Sequence, residues 1–104
     1  SLYVFRLVKP TTQGDSIVKS KILFTGAHHA RELITLTMCL KIFVEALHSL
    51  LHKTPESTFW TYNDLLIVPI VNLDGHMFIS ESYGTPAWKT HSLKRKNMNA
   101  EFCP

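Results

Sequence analysis

The stretch KILFTGAHHARELITL, residues 21–36, runs from an apolar segment through Gly26 into His28, His29, Arg31 and Glu32. These polar side chains fall where a helical pattern begins. His29 and Glu32 are three residues apart, and at a helix start positions i and i+3 share a face. An imidazole nitrogen and a carboxylate oxygen can then converge on one cation about 2.0 to 2.2 Å from each. His28 and His29 are neighbours at a strand end, where successive side chains point to opposite sides, and the spacing to Glu32 selects His29. A plainer role also fits: a polar helix start, with Glu32 favoured by the positive end of the helix dipole.

Several elements must hold this cluster. Residues 2–9, LYVFRLVK, are β-branched and aromatic and read as a strand. PTTQGDS follows as a turn. KILFTGA, residues 21–27, is a short apolar run read as a buried strand. Residues 31–52 are helical in pattern: Leu33, Leu36, Leu40, Val44, Leu47 and Leu51 fall at spacings of three and four. Ile34, Met38 and Ile42 widen that apolar face, so the helix is expected to lie against a sheet. Pro55 marks its end. DLLIVPIVN, residues 64–72, suits an inner strand covered on both faces, although Pro69 cannot donate to a ladder. LDGH reads as a turn, with Asp74 and Gly75 structural. Residues 75–104 show no period and read as a long loop, a kind of segment that is often functional. The order strand-strand-helix-strand-loop gives an α/β fold, and the strand-helix-strand crossover implies a parallel pair. Sites in such sheets gather at the carboxyl ends of the strands, which is where the His-Glu cluster sits.

Composition narrows the class. The chain has 104 residues, 45% hydrophobic and 18% charged, which is globular and not disordered. A formal charge of +3 does not call for nucleic acid or a membrane surface. The basic run in KTHSLKRKNMN is short, and Trp88 is the single aromatic close enough to stack a base. Cys39 and Cys103 are too few and too far apart for a disulfide framework. No uninterrupted apolar run reaches the roughly 18 residues that span a bilayer, and no signal peptide is visible. A start at Ser1 and an end at EFCP point to a segment cut at both ends from something longer.

TGAHHARELIT resembles the first zinc-binding motif of the zinc metallocarboxypeptidases of the carboxypeptidase A, B and T type. IVPIVNLDGH is similar to that family's inner strand and Asn-x-Asp-Gly turn, and KRKNMN to its Trp-Arg-Lys-Asn-Arg stretch. The three matches occur in order and cover most of residues 21–98. The resemblance implies a mixed, largely parallel sheet covered by helices, with residues 1–104 forming the amino-terminal part of a catalytic domain truncated at both ends. It implies one zinc ion per complete domain, His29 and Glu32 as ligands, Arg31 as a substrate-holding residue, and Arg95 as the group that polarises the scissile carbonyl. A fixed guanidinium aimed where negative charge develops is a strong electrostatic catalyst; taken alone, the KRK run is a solvated basic stretch.

The sequence departs from the family pattern at Lys94, where Trp is usual, at Met98, where a second Arg is frequent, and at His76, where an aromatic is common. The third zinc ligand, the Asn-Arg pair for the substrate carboxylate, the Tyr and the general-base Glu have no counterparts in these residues. His48, His52 and His91 are not expected to complete the site. The implied parent is a monomeric enzyme that releases carboxy-terminal residues from peptides, with this segment inactive alone. A deacylase of the same fold and a catalytically dead peptide-binding relative are the rivals. The compartment is left open, with secretion favoured by the closer likeness to the secreted branch.

Overall fold

The computed structural model describes residues 1–11, 17–52 and 58–99. A three-stranded sheet has the order β1-β3-β2, formed by β1 (Phe5–Leu7), β2 (Ser20–Thr25) and β3 (Asn63–Val68). β2 and β3 run parallel, with Ile22 opposite Leu65 and Phe24 opposite Ile67; β1 runs antiparallel to β3, with Phe5 opposite Ile67. The sheet is therefore mixed, and the crossover between its parallel strands is α1 (Leu33–His52) followed by the short α2 (Phe59–Tyr62). Beyond β3 come α3 (Leu73–Glu81) and α4 (Trp88–His91).

β3 is the central strand, as its continuous apolar run implies. Pro69 lies one residue past its end, so no ladder bond is lost. The outer strands are shorter than their apolar runs: β1 keeps three residues of the expected eight, because an edge strand is held from one side only. β2 ends at Thr25, and Gly26 and Ala27 turn away from it.

Leu7, Ile22, Leu65 and Ile67 share the face toward α1, where a small core of Leu7, Cys39, Trp60, Leu65 and Ile67 is closed by Ile42, Phe43, Ala46, Leu47 and Leu50. The Phe5 and Phe43 rings meet with centroids 4.8 Å apart. Trp60 enters beneath the end of α1 and donates its Nε1–H to Ser49 Oγ at 3.2 Å. On the opposite face Arg6 donates to Asp64 Oδ2 at 3.1 Å, and Lys19 Nζ lies 3.6 Å from the other oxygen of that buried carboxylate. Leu23 on that face is 59% exposed.

The helix covers the sheet, but by a stripe displaced from the one its spacing implied: Cys39, Ile42, Phe43, Ala46, Leu47 and Leu50 face inward, whereas Leu33, Leu40, Val44 and Leu51 of the expected stripe are exposed. Ile34, Val44 and Leu51, on its far side, are more than half exposed. By length and mean hydropathy (1.6), α1 is apolar enough to cross a bilayer. The expectation that nothing here is long enough counted only uninterrupted runs, which Lys41 and Glu45 break. Its contacts with β1 and β3 are those of a helix that covers a sheet.

Two expectations are overturned. LDGH is the first turn of α3, and the region read as a loop carries α3 and α4 before giving way to irregular chain. The Asn72 side chain accepts from the Gly75 N–H at 3.1 Å, which satisfies an orphan donor of the first turn. An Asn-x-x-Gly cap and a turn share the same residue types, and the absence of a long apolar stripe hid the nine-residue helix. Pro55, Cys103 and most of the PTTQGDS turn lie outside the described residues.

Gly26 sits where three segments meet. A Cβ there would stand 2.8 Å from Thr35 O, 2.9 Å from Cys39 Sγ and 2.9 Å from Pro69 O. Two of these neighbours are backbone and cannot rotate away. Gly26→Ala is therefore expected to destabilise the protein by about 1–3 kcal/mol, the usual range for overpacking. A urea-unfolding midpoint within error of the parent would show that the junction has slack.

Candidate metal centre

The turn from β2 into α1 is laced to the chain leaving β3. Gly26 N–H donates to Val68 O at 2.9 Å, Val71 N–H to Gly26 O at 3.0 Å and Asn72 N–H to Ala27 O at 3.0 Å. Ala27 is fully buried and holds φ at 48°, a left-handed conformation that costs a non-glycine residue of order 1–3 kcal/mol. Its N–H donates to Thr35 Oγ1 at 2.8 Å, and that hydroxyl donates to Glu32 O at 2.8 Å. These bonds end the strand abruptly and aim residues 28–32 at the carboxyl end of the sheet.

His29 and Glu32 do meet, but not on a helix. α1 starts at Leu33, two residues later than the apolar pattern suggests, and the pair lies in the tight turn before it, closed by Glu32 N–H donating to His29 O at 3.1 Å. His29 Nδ1 stands 3.0 Å from Glu32 Oε2. The His29 hydrogen bond holds the Glu32 carboxyl below the usual carboxylate range, burial works against it, and the His29, Arg95 and Arg31 charges add to the lowering. A carboxyl held low in the folded state contributes stability above its unfolded pKa, and this contribution fades as pH falls through the folded value.

Arg95 joins this pair from 63 residues further along the chain: its Nε is 3.7 Å from Glu32 Oε1. Its carbonyl accepts from Ala30 N–H at 3.2 Å and from Asn72 Nδ2 at 3.3 Å. His29 and Arg95 line a cavity of about 620 Å³ with His28, Asn72, Asp74 and Lys96. Arg31 does not line it; its Nη1 donates to Leu93 O at 3.4 Å. His28 and His29 share this cavity although opposite sides were expected, because strand alternation stops at Thr25.

His48, His52 and His91 do not line this cavity. His48 and His52 stack on the exposed end of α1 with ring centroids 4.4 Å apart. His91, placed by sequence in a loop near Arg95, sits in α4 with its ring 4.2 Å from that of Phe78. Among the described residues no three His, Cys, Asp or Glu side chains come together. Cys39 is buried, which pushes its thiol above the usual range and leaves it a small apolar group rather than a nucleophile. Asn72 is the residue that sequence reasoning passed over; its signal was the cap position before Leu-Asp-Gly.

Residues 1–103 match the family described as zinc carboxypeptidase. The chain belongs to the zinc carboxypeptidase family. Its fold agrees: the crystal structure of thrombin activatable fibrinolysis inhibitor (TAFI) superposes with a TM-score of 0.69 over 94% of this zinc carboxypeptidase chain, at 24% identity. The alignment takes in 21% of the TAFI chain. None of the curated proteins matches the sequence. The mixed α/β sheet and the family name expected from the three motifs are thus those of the molecule, and the family implies zinc.

Proposed function

We propose that this chain is the amino-terminal part of a metallocarboxypeptidase catalytic domain whose His29 and Glu32 supply two of the protein ligands of a catalytic zinc. The observation that carries this is the 3.0 Å approach of His29 Nδ1 to Glu32 Oε2. Two donors each about 2.1 Å from a tetrahedral zinc lie about 3.4 Å apart, so the pair needs to open by only a few tenths of an ångström. A bound zinc would activate a water and polarise a peptide carbonyl.

The chain's own residues supply the rest of the half-site. Arg95 presents a guanidinium at the cavity wall, suited to the charge that develops on a carbonyl oxygen. Arg31 would hold the peptide; its present contact with the Leu93 carbonyl must be exchanged for that role. The proposed substrate is a peptide or protein with a free carboxy terminus, and the working form is a monomer. The radius of gyration is 18.0 Å, whereas a compact domain of this length has about 13 Å. That open shape, together with two ligands where catalytic zinc requires three plus water, supports a partial domain.

The full-length protein is expected to release the carboxy-terminal residue of a blocked dipeptide and to lose this activity to a chelator. Hydrolysis that resists chelation would overturn the proposal. Peptide binding without cleavage would make the protein a dead relative, and turnover of small acyl amides alone a deacylase. Residues 1–104 expressed by themselves are expected to show no turnover and only weak zinc binding in competition with a chelator. Sub-micromolar affinity with chelator-sensitive turnover would mean that these residues hold a complete site.

A further inference from the structure

We infer that Asn72 is the positioning residue for Arg95, setting the guanidinium against the His29–Glu32 pair; this rests on the reading of Arg95 given above. Arg95 lies in the irregular chain after α4, where no helix or strand fixes it. The bonds that dock this segment on the β2–α1 turn and on the start of α3 converge on the Arg95 carbonyl, one from Ala30 N–H and one from the Asn72 amide.

The Asn72 side chain has no freedom to turn. Its Oδ1 is held by the Gly75 N–H at 3.1 Å, so its Nδ2 must face the other way, toward Arg95 O at 3.3 Å. Its backbone is held as well: the N–H donates to Ala27 O and the carbonyl accepts from His76 N–H. The residue is buried. Gly75 makes the seat. A Cβ there would fall 2.7 Å from Asn72 Oδ1, 2.9 Å from Nδ2 and 2.9 Å from the Ala30 Cβ. The missing side chain leaves the space in which the amide lies between α3 and the Arg95 backbone. Asn72 thereby does more than cap a helix. Its side-chain amide ties the start of α3 to the segment that carries the guanidinium, and its backbone N–H ties both to Ala27 in the turn that leads to the proposed ligands.

Two substitutions separate these jobs in the zinc-loaded full-length protein. Asn72→Asp keeps an acceptor for the Gly75 N–H and turns the second carboxylate oxygen against the Arg95 carbonyl. Asn72→Ser keeps a capping oxygen, is too short to reach Arg95, and adds no charge beside Arg95 and Lys96. Both variants are expected to lose about tenfold or more in kcat, with KM and zinc affinity within about twofold of the parent, the pattern of a lost transition-state interaction. In an Arg95→Ala background either change is expected to add less than about twofold, because coupled residues are not additive. A kcat within about twofold of the parent in both variants, while Arg95→Ala is impaired, overturns the inference. If Arg95→Ala is itself silent, the reading of Arg95 has failed instead. Loss of zinc or of folding in both Asn72 variants confines Asn72 to the fold and equally overturns the inference.

Discussion

His29→Ala is expected to strip most of the zinc from the full-length protein at equilibrium dialysis. Losing even an outer-shell partner typically costs 10- to 100-fold in metal affinity, and removing a ligand atom costs more. Glu32 would be left to hold its side of the ion without the imidazole 3.0 Å away. A second reading comes from the carboxyl itself. Because His29 is the largest cause of its lowered pKa, the Glu32 titration in metal-free His29→Ala should move up toward the ordinary carboxylate range. His28→Ala serves as the control. His28 lines the same cavity but is exposed, and His29 is the histidine that pairs with Glu32. Stoichiometric zinc in His29→Ala would overturn the assignment of His29, and metal loss in His28→Ala instead would move the ligand to His28.

The second large effect is on turnover. Arg95→Ala should lower kcat about 10²- to 10³-fold, the usual cost of one oxyanion donor, with KM much less affected. The side chain is 56% exposed and its Nε lies 3.7 Å from Glu32 Oε1, so it borders the proposed ligand pair without being locked to it. A pair this open contributes little to stability, and the metal content of Arg95→Ala should stay near that of the parent. A kcat loss below about threefold with metal unchanged returns Arg95 to a solvated basic run. Arg95→Lys keeps the charge but not the planar fork, and is expected to recover only part of the activity.

The parts that could be read from sequence share a physical cause. The apolar run of β3 is dictated by what the strand buries, and the three-to-four recurrence of apolar residues marks α1 as a helix, although it does not pick out the stripe that faces the sheet; both elements can be read one segment at a time. The meeting of His29 with Glu32 was legible because it is local, although a tight turn rather than a helix face brings it about. α3 was hidden because its start is set by one side-chain hydrogen bond from Asn72, and a cap is chemically indistinguishable from a turn without coordinates. The Arg95–Glu32 approach and the Asn72–Arg95 bond span 63 and 23 residues. No local pattern encodes such contacts, and only resemblance to a family placed Arg95 near the site at all. Arg31 took its substrate-holding role from the same resemblance, and its contact with the Leu93 carbonyl, 62 residues away, is likewise one that no local pattern encodes.

The strand order β1-β3-β2 also sets a timetable for synthesis. β1 and β2 leave the ribosome first, and they do not pair with each other. Each waits for β3, whose Ile67 must pair with Phe5 and Phe24, both made more than forty residues earlier. Until residue 68 has cleared the exit tunnel, the nascent chain has an amphipathic helix but no sheet for it to cover. Contacts of such sequence separation form late and slowly, and at roughly 5–20 residues per second the interval lasts seconds. During it Phe24, Leu23 and the inner stripe of α1 stand open to chaperones and to other nascent chains. When β3 emerges it supplies the central strand, and its end delivers Asn72, so sheet closure and the docking surface for Arg95 arrive in one step.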